Sequence, residues 1–321
     1  MAGHRRTPSH NPRHTVIRQL ISIGALAALL ASCSLSNPIP LGSEALVEAQ
    51  SYVDAGDWEE AWDTLRSLDS DDLDRATLVD YSLLTGDAAW HTERFPQALR
   101  YYEQFLSLRG PAEDSRLAEQ RVFQIASEML EGEHRTLLFF ANRWRGRSAL
   151  QNLAAFAPES PYAPEALATV AAYSYERGRY DSAAIDYRLL LARYRNSEWG
   201  DLSTFRLGMC GYYSALDAET NRALIEVSRL QIDEYLRLYP EGQFREEALE
   251  AATALRELNA GYFLGLADYY DRIELPAASA RYLGMAAEFE GTAAAATAQE
   301  RLSAVPANAV AEAKSLEAEG E

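Results

Sequence analysis

A short pattern of one small and three bulky residues recurs along this chain. The small residue follows the first bulky one by three positions, and the other two come four and then three positions later. These steps place all four side chains on one face of a helix. A methyl-sized side chain lets a second helix approach closely, and a pair of such helices buries its apolar faces only by stacking on further pairs. The clear copies are Trp58-Ala61-Leu65-Leu68, Phe95-Ala98-Tyr102-Phe105 and Tyr180-Ala183-Tyr187-Leu190, with a weaker copy at Leu275, Ala278, Tyr282 and Met285.

The spacing of these copies resembles that of the tetratricopeptide repeat. The first two copies start 37 residues apart, and Phe95 and Tyr180 are separated by about two further periods, close to the repeat length of about 34 residues. Gly56 and Gly178 stand where that repeat has its turn glycine. The sequence therefore predicts an all-α, right-handed superhelical solenoid of about six tetratricopeptide-like helix hairpins.

The turn residues between the copies predict the individual hairpins. We expect N-terminal hairpins over residues 44–158, C-terminal hairpins over 159–304, and an acidic, alanine-rich tail over 305–321 that forms a frayed helix or is disordered. The predicted helix pairs are 44–54 with 58–68, 74–91 with 95–108, 114–131 with 135–156, 164–176 with 180–191, 201–216 with 223–238, and 244–271 with 276–289.

The first 33 residues have the organisation of a secretory signal. Four arginines precede an apolar run at 21–30, which is shorter than the roughly 20 residues of a spanning helix. The run ends in Leu30-Ala31-Ser32-Cys33, which resembles the lipobox of bacterial lipoproteins. That resemblance implies a signal peptide over 1–32, lipid attachment at Cys33, a tether over 33–43 and, with Ser34 next, an outer-membrane destination. The alternative is an ordinary secretory peptide with an incidental cysteine.

Charge limits the partners of the mature chain. Removal of residues 1–32 would leave 26 basic and 48 acidic side chains, so we expect no nucleic-acid binding and no general attraction to anionic lipid. Membrane association would come from the lipid anchor instead. Cys210 would be the one cysteine besides the lipid-modified Cys33, which excludes a disulfide framework.

Residues with catalytic or metal-binding chemistry are sparse. His91 and His134 have no second metal ligand at helical spacing, and Cys210 is expected to be a small packing residue. The acidic run 69–74 has Asp74 where a calcium loop needs glycine. We therefore predict a non-catalytic protein without metal or cofactor; an enzyme with an unrecognised site is the alternative from another class.

Two sets of residues are candidates for partner or peptide binding. Trp90, Tyr175, Tyr212 and Tyr270 fall near one equivalent position on the first helices of their hairpins, where aromatic side chains could hold an extended peptide. Packing between hairpins is the alternative for each. Arg143, Arg145 and Arg147 form a basic cluster that could bind a carboxylate such as a precursor C-terminus, or could be the solvated face of a long helix.

The C-terminal half also resembles a known family of assembly proteins. The stretches that carry the resemblance are Ser160-Pro-Tyr-Ala-Pro-Glu-Ala, Arg179-Tyr-Asp-Ser-Ala-Ala, Tyr239-Pro-Glu-Gly, the run 258–270 and Ala277-Ala-Ser-Ala-Arg. With the lipobox, they are similar to the BamD family, the lipid-anchored tetratricopeptide component of outer-membrane β-barrel assembly. The resemblance implies a periplasm-facing scaffold whose partners are the barrel-forming subunit and unfolded barrel precursors. A repeat lipoprotein that serves pilus or secretin assembly, or cell-wall enzymes, is the rival within the same class.

Overall fold

A computed structural model describes residues 42–133, 142–217 and 221–318 of the chain. Within these ranges the chain forms fourteen α-helices and one 3-10 turn at Ser70–Asp72, and no β-strand. The all-α prediction is confirmed. The predicted signal peptide, Cys33, residues 33–41 of the tether, and His134 lie outside the described residues.

The helices follow one another as antiparallel neighbours. They are α1 (Gly42–Ala55), α2 (Trp58–Leu65), α3 (Arg75–His91), α4 (Phe95–Ser107), α5 (Ala112–Glu131), α6 (Arg143–Phe156), α7 (Ala163–Tyr175), α8 (Tyr180–Tyr194), α9 (Gly200–Asp217), α10 (Arg222–Leu238), α11 (Arg245–Arg272), α12 (Pro276–Ala287), α13 (Ala293–Ala304) and α14 (Ala307–Ala318). From α1 to α13 each helix packs against the next, and α1–α3, α5–α7 and α9–α11 also touch as first helices of adjacent hairpins. This is the predicted solenoid of six hairpins.

The repeated residues form the contact between the helices of each hairpin. Ala61, Ala98 and Ala183 are fully buried, and so are Tyr102 and Leu190. A bulky residue at the alanine positions would push the paired helices apart, since protein interiors have no spare volume. The recurring small residue is therefore the reason that these helices pair.

Four hairpin turns share one backbone geometry. The residue two positions before the second helix has a positive φ: 83° at Gly56, 57° at Glu93, 68° at Gly178 and 59° at Glu274. In each turn the following amide donates to the carbonyl five residues back, as in Asp57 to Tyr52 (2.9 Å). This is the Schellman ending of a helix, which favours glycine at the left-handed position. The turn, and with it the start of the second helix, is thus fixed even where glutamate replaces glycine.

The predicted register of the weaker fourth copy, which starts at Leu275, is wrong by one residue. The turn at Glu274 places Pro276 first in α12, where a proline suits the helix because its φ is already helical. The buried side chains are therefore Ser279, Leu283 and Ala286, and Leu275 is 49% exposed. The predicted face, Ala278, Tyr282 and Met285, is only partly buried.

The second helix of the third hairpin starts later than predicted. Asn142 has non-helical angles (φ −81°, ψ 41°), and α6 begins at Arg143 rather than at residue 135; residues 134–141 lie outside the described residues. A Cβ on Gly146 would collide with the carbonyl oxygen of Ala126 and lie 2.7 Å from the amide nitrogen of Leu130. The glycine lets the backbones of α5 and α6 touch, which sets where the flanking arginines point.

The predicted tail forms a helix, α14, over Ala307–Ala318. Ala309 and Ala313 of α14 are buried, and α14 packs against α12. The helix before it, α13, is fixed to α11 by Glu257, whose carboxylate accepts from the amides of Ala293 and Ala294 at 2.7 and 2.9 Å. Both helices therefore extend the stack beyond the sixth hairpin.

Candidate functional site

The aromatic candidates Trp90 and Tyr270 pack against rings of their own hairpins. Trp90 meets Phe95 at 5.5 Å between ring centroids, in an edge-to-face arrangement. Tyr270 stacks on Tyr282 at 5.2 Å. Both are partly buried, so part of each ring stabilises the hairpin and part faces outward.

The other two candidates, Tyr175 and Tyr212, are joined through a third tyrosine. Tyr213 lies 6.1 Å from Tyr175 and 5.2 Å from Tyr212 between ring centroids. The guanidinium of Arg206 sits 4.1 Å from the ring centre of Tyr175, a favourable cation–π geometry. Burial raises the pKa of the Tyr175 hydroxyl, which stays protonated at neutral pH. The sequence analysis missed Tyr213 and Arg206, although positions 206, 210 and 213 follow helical steps along α9.

The basic cluster is divided between two buried carboxylates. Arg145 forms an ion pair with Glu103 of α4, which also accepts from Asn152 at 2.9 Å. Arg147 pairs with Asp186 of α8 at 2.8 Å. The two guanidiniums therefore act between hairpins, on opposite sides of Gly146.

The start of α6 keeps an exposed face beside these ion pairs. Trp144 is 73% exposed, and Arg143 reaches back to the carbonyl oxygen of Glu131 at 3.5 Å. An exposed indole beside a guanidinium suits contact with a partner. Arg145 and Arg147 bind side-chain carboxylates, whereas Arg143 contacts a backbone carbonyl.

The turn between α11 and α12 exposes a compact apolar surface. Tyr269, Ile273 and Leu275 are 48%, 44% and 49% exposed, and the amide of Leu275 donates to the carbonyl of Tyr270 at 3.0 Å, which closes the turn. Arg301 of α13 holds the end of α11 through Asp268 and Asp271 at 2.6 and 2.8 Å. We call Tyr269, Ile273 and Leu275 the apolar turn. The sequence analysis selected Tyr270 and missed these three neighbours. The pattern that could have indicated them is the pair of apolar residues, Ile273 and Leu275, on either side of Glu274.

Cys210 and His91, the cysteine and histidine within the described residues, are enclosed or stacked. Burial raises the pKa of the Cys210 thiol to about 12, and His91 stacks on Trp58 at 3.8 Å, with its pKa lowered mainly by burial. Over residues 42–133, 142–217 and 221–318, no three His, Cys, Asp or Glu side chains are placed to hold a metal ion. In the same ranges, every helix is too short or too polar to cross a bilayer.

Comparison with known proteins places the helices from α6 onward in a family. The family model described as YfiO, outer membrane lipoprotein, matches residues 141–315. The chain belongs to the YfiO family. This membership supports the resemblance to the BamD family, and no curated protein matches the chain. The YfiO match includes the apolar turn, the basic cluster, Tyr175 and Tyr212, and it leaves Trp90 and α1–α5 outside.

Proposed function

We propose that this protein is a non-catalytic scaffold of outer-membrane β-barrel assembly, held to the membrane by lipid at Cys33 and facing the periplasm. Its C-terminal hairpins dock on the barrel-forming subunit, and the protein helps to receive unfolded barrel precursors. The observation that carries the proposal is the YfiO match over residues 141–315, which spans α6 to most of α14. The processed chain would run as signal peptide 1–32, tether 33–43 and hairpins 44–158 and 159–304.

The apolar turn is the docking surface that fits this role. Its three exposed side chains come from seven consecutive residues at a closed turn inside the family match. Exposed apolar groups rimmed by charge are typical of protein interaction sites. Tyr270 is partly exposed beside them. Asp268, Asp271 and Arg301 supply the surrounding charges.

Affinity purification of the tagged full chain from detergent-solubilised membranes tests the docking role. We expect a barrel-forming subunit with periplasmic domains to co-purify, and its yield to fall at least tenfold in Ile273→Asp with Leu275→Asp. The matched control is Val227→Asp with Leu230→Asp, which changes two equally exposed apolar residues of α10 and should keep the subunit. Recovery of secretin or cell-wall enzymes in its place would support the rival scaffold roles and contradict ours.

The lipid anchor has a separate test. Labelled palmitate should enter the wild-type chain and be absent from Cys33→Ala. Equal labelling of both chains would refute the anchor and leave the docking experiment to be judged on its own.

Precursor contact is proposed for the exposed face of Arg143 and Trp144. Charge reversal at Arg145 or Arg147 would break an ion pair with a buried carboxylate, so Arg143→Glu is the cleaner variant. It should reduce cross-linking of an unfolded barrel precursor, whereas Arg66→Glu, on a solvated ion pair of α2, should not. Unchanged cross-linking of Arg143→Glu would remove this face from the proposal.

A further inference from the structure

A groove runs between the first helices of the first two hairpins. It has a volume of about 370 Å³. It lies outside the residues matched by the YfiO family, so the proposed docking through the apolar turn does not involve this groove. The residues that line it are Leu46, Val47, Gln50 and Val53 of α1, and Asp80, Leu83, Leu84 and Asp87 of α3.

The floor of this groove is apolar and open. Leu46, Val53, Leu83 and Leu84 are partly buried, and Val47 at its edge is 72% exposed. Apolar side chains arranged along two neighbouring helices form the kind of trough that accepts the apolar face of a third helix.

The negative charge of the groove comes mainly from Asp80. Its two ionisable lining residues are Asp80 and Asp87. Asp87 pairs with Arg121 and accepts from Tyr102, whereas Asp80 is exposed and forms no ion pair within the described parts of the chain.

The surrounding hairpins add to this negative charge. Residues 42–107, the first two hairpins, contain fifteen acidic and four basic side chains. Of the four, Arg66 pairs with Asp63, Arg94 pairs with Glu59, and Arg75 donates to the carbonyl of Leu108. A partner that fills the groove must therefore bring positive charge of its own.

The spacing along α3 defines the shape of that partner. Along α3 the two carboxylates of Asp80 and Asp87 are seven residues apart, with Leu83 and Leu84 between them. At a rise of 1.5 Å per residue, the two aspartates are about 10.5 Å apart along the helix axis. A helix with basic residues at positions i and i+7 and apolar residues at i+3 and i+4 reproduces this spacing with the opposite charge.

We propose that the groove between α1 and α3 is a second docking site, which binds the apolar face of a basic amphipathic helix of a partner protein. The apolar positions of that helix enter between Val47 and Leu83–Leu84. Its basic residues lie beside Asp80 and Asp87, and Asp80 supplies the stronger attraction because Asp87 already pairs with Arg121. The site is separate from the apolar turn, so either may fail without the other.

A designed helical peptide with Lys at i and i+7 and Leu at i+3 and i+4 tests this site against the full mature chain, by fluorescence anisotropy at 150 mM salt. We expect saturable binding that weakens at least tenfold in Val47→Glu and in Asp80→Lys, and by less than threefold in Asp71→Lys. The last variant makes the same charge change on an exposed residue of the 3-10 turn. Asp71 is not among the residues that line the groove, and salt at this concentration screens charges that are farther apart than a Debye length of about 8 Å. Circular dichroism melts of all variants confirm that they fold, and Val47→Ser replaces Val47→Glu if the latter does not.

Several outcomes would overturn the proposal. A scrambled peptide of the same composition that binds as tightly, or no binding of the patterned peptide, would exclude a helix-shaped site. Equal weakening by Asp71→Lys and Asp80→Lys would reduce the effect to diffuse charge. A dimer in sedimentation runs that Val47→Glu dissolves would assign the groove to a second copy of this chain.

Discussion

Arg147 and Asp186 join the third and fourth hairpins through an ion pair in which the aspartate is buried. The arginine Nη2 lies 2.8 Å from the Asp186 Oδ2, and the aspartate side chain is 2% exposed. Gln151 donates to the second carboxylate oxygen at 2.8 Å. Both donors are on α6, so this one helix satisfies a carboxylate that would otherwise be buried without a countercharge.

Removal of the arginine should therefore cost more than removal of an exposed one. Arg147→Met leaves the buried charge of Asp186 with a single amide partner, and we expect the free energy of unfolding to fall by about 3 kcal/mol. Arg66→Met, whose partner Asp63 is 62% exposed, should change it by less than about 0.5 kcal/mol. Urea unfolding followed by circular dichroism measures both; equal losses would mean that Asp186 is not effectively buried.

The two backbones that touch at Gly146 give a second prediction. Gly146→Ala forces α5 and α6 apart, because the new methyl group meets backbone atoms of Ala126 and Leu130, and we expect a loss of about 2–3 kcal/mol. Gly265→Ala in α11 is the control, since its methyl group meets nothing within 4 Å and alanine favours the helix by about 1 kcal/mol. Thermal melts that shift in the same direction for both variants would contradict this assignment.

The left-handed turn residues give a stabilising prediction. Glu93 and Glu274 hold φ angles of 57° and 59°, which strain a side chain with a Cβ. Glu274→Gly should therefore stabilise the chain by about 0.5–1 kcal/mol, and Glu93→Gly by a similar amount. Glu288→Gly, at a right-handed position, should destabilise it; denaturant midpoints distinguish the two effects.

Buried Cys210 and Tyr235 predict an alkaline limit to stability. Burial raises the pKa of each group to about 12, above the ordinary values of 9.0 and 10.0, so the folded chain keeps protons that the unfolded chain loses. The contribution of these two groups to the free energy of unfolding should be constant below about pH 8.5 and should fall as the pH rises from about 9 to about 12. Cys210→Ala should flatten the first part of this decline, and no change in the profile would show that the thiol is accessible.

The same enclosure predicts slow thiol chemistry. The native mature chain should react with iodoacetamide at pH 8 far more slowly at Cys210 than the urea-unfolded chain, because the thiolate is the reactive species. Mass spectrometry of the Cys210 peptide measures both rates. Comparable rates would mean that α9 opens readily.

The sequence predicted the hairpins well because their signal is local. Small residues in register, glycine turns and helix-starting prolines are each contained within one hairpin, and Ala61, Ala98 and Ala183 lie where they were expected. The register of the last copy failed because Glu274 takes the glycine conformation without being glycine. The start of α6 was predicted too early because the non-helical angles of Asn142 have no signal in the composition of the sequence.

The candidate site was harder to predict because its residues act across hairpins. In the sequence, Arg145 and Arg147 have the pattern of a solvated basic cluster. Their carboxylate partners are 42 and 39 residues away along the chain. The apolar turn could not be predicted, because the sequence does not show which residues of a turn are exposed to solvent. Trp90, Tyr175, Tyr212 and Tyr270 remain candidates whose partly buried rings also stabilise the stack.

The docking of α14 on α12 has a consequence for how copies of this protein could associate. A stack of hairpins that ended at α12 would present a bare lateral face, onto which the first hairpin of another molecule could add and so start a filament. The methyl groups of Ala309 and Ala313 cover part of that face. Head-to-tail polymerisation would therefore first have to displace the C-terminal helix.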